Sequence, residues 1–134
     1  MATMADYLSV SLPDDAAEDS VSNLPLWKNP DQGSVREDTV HQSIDGSLSI
    51  RKGKWKLELC PGSGGWSRPK PGEEGLDAPR FQFYDLDSDI SERNNVIYQN
   101  FEVEESLKDR LKEIINQGRS TPGAPQTNDG ADIS

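Results

Sequence analysis

The sequence predicts an α+β fold in which a small antiparallel sheet of three to four strands packs against one helix near the C-terminus. Two runs with a period of two, Ser47–Arg51 and Lys54–Leu59, are separated by a glycine-containing pair, which is the pattern of a β-hairpin. Aromatic residues concentrate in Arg80–Leu86 and favour a third strand. From Val103 to Gln117, apolar residues recur at helical spacing and predict a helix.

The second strand of this hairpin has one apolar side and one charged side. Trp55, Leu57 and Leu59 share the first, and the residues between them are all charged. We expect the apolar side to face the core, with Lys52 and Gly53 as the two-residue turn. Upstream, Thr39–Gln42 is short enough to be either an edge strand or an extended lead-in.

The predicted helix carries an apolar stripe, and the apolar side of the hairpin is its natural partner. Gly118 is placed to end the helix in a left-handed conformation. The members of the stripe are Val103, Leu107, Leu111, Ile114 and Ile115.

Composition divides the chain into three parts. Residues 1–38 begin with a helix end at Ala2–Leu8 and continue as an acidic connector interrupted by prolines. Residues 39–118 hold the predicted strands and the main helix, and therefore the packed unit. Residues 119–134 contain little apolar material, and we expect this tail to be partly or wholly flexible.

Charge and hydropathy limit the partners of the chain. Its 134 residues have a formal net charge of −10, which disfavours both nucleic acid and an anionic membrane, because binding to either depends on clustered Lys and Arg. There is no apolar run long enough to predict a membrane span, and Met1–Val10 lacks the basic start and apolar centre of a signal peptide. The sequence leaves the cellular location undetermined.

Two residues suggest chemistry at first sight. Cys60 follows a predicted strand and precedes the glycine-rich run Pro61–Ser67, so it is either a nucleophile on a tight turn or a small apolar residue at a strand end. The second interpretation is favoured, because no base lies near it in sequence. The run itself lacks the Lys-Ser/Thr pair and the helix of a phosphate loop. The single histidine, His41, has no identifiable acid–base partner.

Asp85, Asp87 and Asp89 have the spacing of the start of a calcium loop. Such a loop requires Gly at its sixth position and Glu at its twelfth, where this sequence has Ile90 and Val96. A polar turn is therefore predicted instead. Taken alone, the residues indicate a small module without a catalytic constellation of its own.

Several blocks of sequence, in order and at consistent spacing from Ala2 to Asp129, together resemble the C-terminal third of the sulfatase family, especially its bacterial arylsulfatase-like members. The more specific blocks are Arg51–Leu57 (Arg-Lys-Gly-Lys-Trp-Lys-Leu) and Gly118–Gly123 (Gly-Arg-Ser-Thr-Pro-Gly). The other blocks are Ala5–Leu8 leading to Leu12–Ser20, Val40–Ser43, Cys60–Trp66, and Tyr84–Leu86 with Asp89, Glu92 and Asn95.

Sulfatases are similar to alkaline phosphatase in fold. A large α/β domain holds the active site, and a smaller C-terminal subdomain packs a four-stranded antiparallel sheet with a helix against it. The resemblance implies that residues 1–38 are a remnant of the large domain and that residues 39–118 are the C-terminal subdomain. The partners it implies are the missing large domain and, in the full-length enzyme, a sulfate-ester substrate.

The chemistry of the family uses a formylglycine made from the pattern Cys/Ser-x-Pro-x-Arg, together with calcium bound by Asp and Asn. This pattern is absent here: Cys60 is followed by Gly62 and Gly64 in the places of proline and arginine, and the best serine, Ser67, has Pro71 in place of arginine. The resemblance therefore implies no catalytic residue and no metal ligand in this chain. Calcium and formylglycine are expected in the catalytic domain.

In the family, the segment equivalent to Val40–Ser43 often has two adjacent histidines that approach the rim of the substrate pocket. This chain keeps His41 and has Gln42 in the second place, so the resemblance implies His41 as a rim contact. The leading hypothesis is a C-terminal sulfatase fragment that packs against the catalytic domain and is inactive alone. The alternative is a stand-alone, non-enzymatic binding module derived from a sulfatase subdomain.

Overall fold

The structure, a computed structural model, describes residues 1–127. Two compact units are present: Glu37–Leu111 is one, and Met1–Arg36 with the described residues from Lys112 onward is the other. Residues 128–134 of the predicted tail lie outside the described residues. Within residues 1–127, no helix combines the length and the apolar character that crossing a bilayer demands.

The unit Glu37–Leu111 is built on a four-stranded antiparallel meander, in the order β1-β2-β3-β4. Together with the helix Phe101–Gln117 it confirms the predicted α+β class, and the segment at Thr39 belongs to an edge strand rather than an extended lead-in. The elements are β1 Asp38–Gln42, β2 Leu48–Lys52, β3 Trp55–Glu58, β4 Gln82–Asp85 and α3 Phe101–Gln117.

The β2–β3 turn differs from the prediction by one residue. Lys52 pairs with Trp55, so the loop residues are Gly53 and Lys54 rather than Lys52 and Gly53. Gly53 has φ +57° and occupies the first loop position. The turns favoured in two-residue hairpins need positive φ at that position, which glycine adopts at no steric cost. The glycine therefore sets the register of the hairpin.

Strand pairing gives the sheet two different faces. Ile50, Leu57 and Phe83 lie side by side on one of them, which we call the apolar face, and all three side chains are 0% exposed. Trp55 shares this face, as predicted, and its ring stacks on Phe83 with 4.9 Å between centroids. The opposite face, here the polar face, carries the alternate residues, including Lys56 and its neighbours along the strands.

Helix α3 covers the apolar face. Leu107 and Leu111, two members of the predicted stripe, are 2% and 1% exposed. Val103 and Leu107 line one groove together with Trp55, which places the stripe over the apolar face as predicted. The helix begins at Phe101, slightly earlier than the sequence pattern indicated. The sheet and the first three turns of the helix thus share one core.

The outer edge of β4 is covered by the segment that leads to α3. Asn95 Oδ1 accepts hydrogen bonds from the backbone N–H groups of Phe83 (3.0 Å) and Ile97 (3.0 Å). The backbone N–H of Val96 donates to the carbonyl oxygen of Phe83 at 2.8 Å. Because a free strand edge invites pairing with other chains, this cover stabilises the meander where it would otherwise end.

The other unit brings together two distant blocks of sequence. Arg119 is 6% exposed, and its Nη1 donates to the carbonyl oxygens of Asp14 (3.0 Å) and Ala124 (2.9 Å). The backbone N–H of Ser120 donates to the carboxylate of Asp19 at 2.8 Å. The sulfatase-like blocks Leu12–Ser20 and Gly118–Gly123 therefore bind each other, although about a hundred residues separate them.

This unit also contains the predicted N-terminal helix, α1, at Ala2–Tyr7, and a short helix, α2, at Leu24–Lys28. Gly118 follows α3 with φ +64°, as the sequence predicted for a helix end. A Cβ atom at Gly118 would collide with the backbone of Gln126. Glycine is therefore required there for both conformation and space.

Candidate functional site

A shallow cleft of about 220 Å³ lies on the polar face, at the end of the sheet where β1 and β3 finish. Strands and a loop both contribute to its walls. The lining residues that matter for its chemistry are His41, Ser49, Lys56, Glu58, Cys60 and Trp66. We call this feature the His41 cleft. It lies entirely within the unit Glu37–Leu111.

The strand register brings three of these residues into one row. His41 pairs with Ser49 across β1 and β2, and Ser49 pairs with Glu58 across β2 and β3. Directly opposed residues in antiparallel strands point to the same face, so the three side chains are neighbours. The cleft is thus a product of register, which the sequence alone did not specify.

The loop Cys60–Trp66 closes one side of the cleft because it docks on the β1–β2 turn. Ser43 Oγ donates to the carbonyl oxygen of Gly64 at 2.7 Å, and the backbone N–H of Asp45 donates to the same oxygen at 3.2 Å. A Cβ atom at Gly64 would collide with the Ser43 side chain, and one at Gly65 would come within 2.9 Å of Ile44. The paired glycines therefore permit close approach of the loop to the β1–β2 turn.

A polar network on the same face fixes the base of this loop. Gln82 Nε2 donates to the carbonyl oxygens of Cys60 (2.9 Å) and Gly62 (2.8 Å). The hydroxyl of Tyr84 donates to Gln82 Oε1 at 2.7 Å, which orients the amide. Tyr84 is buried, and burial followed by the nearby Glu58 carboxylate raises the pKa of its phenol to about 12. The phenol stays protonated and acts as a donor at physiological pH.

Lys56 lies between two carboxylates on this face. Its Nζ contacts Glu58 at 2.6 Å and Glu92 at 2.8 Å, and its side chain is 19% exposed. Burial on its own would lower the pKa of the ammonium, but the hydrogen bonds to the two carboxylates outweigh that effect and raise the pKa. Lys56 is therefore a permanently charged structural cation whose charge is already neutralised.

Cys60 lacks the environment of a nucleophile. Burial, with the Glu58 carboxylate as the next contributor, raises the pKa of the thiol and disfavours the thiolate. Its Sγ donates to the carbonyl oxygen of Gly62 at 3.2 Å. His41 lines the same cleft, but among residues 1–127 the imidazole makes no hydrogen bond to the thiol. The cleft brings cysteine, histidine and carboxylate together without joining them as nucleophile and base.

The acidic turn after β4 is committed to the donors of its own chain. Asp85 Oδ2 holds Lys54 Nζ at 2.6 Å, and this hydrogen bond is the main cause that lowers the pKa of Asp85. Asp89 Oδ2 accepts from the backbone N–H groups of Arg93 and Asn94, both at 2.7 Å. The described residues contain no group of three or more potential metal ligands. In this structure these carboxylates bind donors of the same chain.

The sequence singled out His41, which lines the cleft, but not two residues that shape its surroundings. Gln82 was assigned only to a strand, and Trp66 only to a turn-rich loop. The available signal near Trp66 was the pair Gly64-Gly65, because glycine permits close approach of another segment. Trp66 is 72% exposed in the structure. Gln82 gave no comparable signal.

Comparison with known proteins supports the resemblance. No family model matches the chain. The N-acetylgalactosamine-6-O-sulfatase of Bacteroides thetaiotaomicron is 35% identical over 116 residues, which is 84% of this chain and 22% of that protein. The chain thus spans about a fifth of the length of the curated relative it matches.

Solved structures also match the chain. One from work on glycosaminoglycan metabolism by Bacteroides thetaiotaomicron matches with a TM-score of 0.67 and 35% identity, over 84% of this chain and 23% of that one. A protein solved with its substrate D-glucosamine-2-N,6-O-disulfate matches with a TM-score of 0.56 and 20% identity, over 84% of this chain and 22% of that one, and supports the fold alone. By sequence and by fold, the chain is therefore similar to part of a sulfatase, as the resemblance predicted.

Proposed function

We propose that this chain serves as the C-terminal part of a sulfuric ester hydrolase, where it packs against the catalytic domain and is inactive alone. The observation that carries the proposal is the 35% identity to a sulfatase over 84% of this chain and only 22% of that protein. In this arrangement residues 1–38 derive from the large domain, residues 39–118 are the subdomain, and the tail follows.

The catalytic groups are assigned to the rest of the enzyme. The sequence has no Cys/Ser-x-Pro-x-Arg pattern from which formylglycine is made. The best acidic candidates, Asp85 and Asp89, already bind Lys54 and backbone amides. We therefore place formylglycine and calcium in the catalytic domain and route no chemical step through this chain.

His41 is the residue of this chain that we assign to the substrate rim. It is exposed at the mouth of the cleft, and its imidazole has no hydrogen-bond partner among residues 1–127. An unpaired imidazole on an open surface is available to a ligand at low desolvation cost. The relatives act on or bind sulfated amino sugars, as their names state, so we propose a sulfated amino sugar as the substrate class.

Reconstitution tests this function. The Bacteroides N-acetylgalactosamine-6-O-sulfatase, produced without the segment that matches this chain, is mixed with this chain, and hydrolysis of N-acetylgalactosamine 6-sulfate is measured with calcium present. We expect neither part to act alone and the mixture to be active. His41→Ala should raise KM with little change in kcat, because a rim contact contributes to binding of the ground state and transition state alike.

Gln99→Ala, at an exposed position outside the cleft, is the matched control. An inactive mixture contradicts the packing role, and an unchanged KM for His41→Ala contradicts the rim role. Sulfate release by this chain alone would contradict the assignment of all catalytic groups to the missing domain. Sugar binding by the chain together with an inactive reconstituted mixture would favour the alternative, a stand-alone binding module.

A further inference from the structure

We propose that Trp66 is the stacking platform of the His41 cleft, and that the cleft accepts an uncharged part of a sugar rather than its sulfate group. The inference rests on the proposed function for its ligand class, a carbohydrate, and adds the residue and the part of the ligand that are recognised. It depends on three observations about the unit Glu37–Leu111: the hold on the loop, the exposure of the indole and the charge of the walls.

First, the loop that carries Trp66 is fixed rather than loosely attached. Ser43 and Asp45 hold the carbonyl oxygen of Gly64 from the β1–β2 turn. On the C-terminal side of Trp66, the backbone N–H of Ser67 donates to Ser63 Oγ at 2.8 Å. Because the backbone on both sides of Trp66 is bound, the indole is presented with little conformational entropy left to lose on binding.

Second, the indole is exposed beside polar side chains. Trp66 is 72% exposed although it lines the cleft, whereas Trp55 in the same unit stacks on Phe83. An exposed aromatic side chain next to hydroxyl and imidazole groups suits a ligand with one apolar surface and a rim of hydroxyls, which describes a pyranose ring. At about 220 Å³ the cleft lies below the range of drug-sized pockets and fits a single ring.

Third, the walls do not favour an anion. Among the lining residues within 1–127, Lys56 is the only lysine or arginine, and its ammonium lies 2.6 Å from Glu58 and 2.8 Å from Glu92. Glu58 also lines the cleft and would repel a sulfate. The whole chain carries a formal net charge of −10. A hydroxyl or N-acetyl group is therefore the better occupant, with the sulfate directed elsewhere.

The test compares two sugars and four variants of this chain. N-acetylgalactosamine and N-acetylgalactosamine 6-sulfate are titrated into the ¹⁵N-labelled chain, and the indole and backbone resonances are followed by NMR. We expect both sugars to shift Trp66 and to bind with similar affinity. Trp66→Ala should weaken binding by about tenfold, the loss expected when some tens of Å² of apolar contact are removed, and Trp66→Phe should retain most of it.

Trp27→Ala removes the other strongly exposed tryptophan, at 63% exposure, and should leave binding unchanged. Gly64→Ala, which would force a collision with Ser43, should weaken binding as Trp66→Ala does, because the loop must move. Unchanged binding by Trp66→Ala, absence of binding by either sugar, or a sulfated sugar that binds more than tenfold more tightly would each overturn the proposal. The reconstitution assay is separate: a mixture active with the wild-type chain, and equally active with Trp66→Ala, would overturn only the role of Trp66.

Discussion

Different interactions stabilise the two faces of the sheet. The apolar face buries Ile50, Leu57 and Phe83 completely beneath helix α3, so its stability comes from the removal of apolar area from water and from close packing. The polar face joins Lys56 to Glu58 and Glu92 and directs the amide of Gln82 into the loop above it, so its stability depends on hydrogen-bond partners and charge.

The difference teaches which face is available for function. A close-packed apolar face has no free space and no polar groups to offer a ligand. A substitution there creates either a cavity or a steric clash. On the polar face, side chains can bind each other or a ligand, and the His41 cleft forms where the imidazole of His41 has no hydrogen-bond partner among residues 1–127.

The largest effect is expected from Leu57→Ala on the apolar face. Leu57 is 0% exposed, and truncation leaves a cavity in a packed core. We expect the free energy of unfolding to fall by about 2–5 kcal/mol, measured by urea denaturation. Leu76→Ala is the matched control because Leu76 is fully exposed, and its effect should stay within about 0.5 kcal/mol. Equal effects at the two positions would mean that this face is not the core.

A smaller effect is expected from Lys56→Ala on the polar face. The change leaves Glu58 and Glu92 facing each other without their cation. We expect a loss of about 1–3 kcal/mol in unfolding free energy, below the range for a fully buried pair because the ammonium is 19% exposed.

Lys52→Ala serves as the control for this change. Lys52 pairs with Glu37 at 3.3 Å, but the two side chains are 49% and 83% exposed, so its removal should cost about 0–1 kcal/mol. If the two lysine variants lost the same stability, the network on the polar face would be no stronger than a surface ion pair.

The smallest effect, and the one with a pH signature, is expected from Tyr84→Phe. The phenol has its pKa raised to about 12 in the folded state, against about 10 in the unfolded chain. A group with a raised folded pKa contributes stability that is complete below the unfolded pKa and is lost as pH rises through the folded one. The wild type should therefore lose stability between about pH 10 and 12 relative to Tyr84→Phe.

Below pH 10 the wild type should be the more stable of the two proteins. Tyr84→Phe leaves Gln82 Oε1 without its donor, which should make the variant less stable than the wild type by about 0.5–1.5 kcal/mol. Unfolding curves of both proteins from pH 7 to 12 would reveal the crossing. Parallel curves over this range would mean that Tyr84 does not titrate differently in the folded protein.

Much of the fold could be predicted from the sequence because its signals are local. The alternation around Leu57 and the stripe through Leu107 each report burial from neighbouring residues alone, and both are confirmed. The β2–β3 turn was placed one residue early. The pattern of polar residues does not distinguish Lys52-Gly53 from Gly53-Lys54 as the loop pair, whereas the positive φ of Gly53 does. The sulfatase-like blocks also pointed to the correct class of relative.

The candidate site could be predicted only in part. The role of His41 as a rim contact stays a prediction. Its placement beside Ser49 and Glu58 depends on strand pairing, and the position of Trp66 depends on a loop that docks on Ser43, 20 residues away from Ser63. Neither the strand pairing nor the docking of the loop produces a periodic pattern in the sequence.

By itself, the sequence determined the order of strands and helix, the side of each that is buried, and the absence of the formylglycine pattern, because these follow from residue types at fixed short spacing. Only the tertiary structure decided that Gln82 and Tyr84 fix the loop Cys60–Trp66, and that Arg119 binds the segment around Asp14. The physical reason is that hydrogen bonds between residues far apart in the chain depend on atomic positions that the packed core sets first.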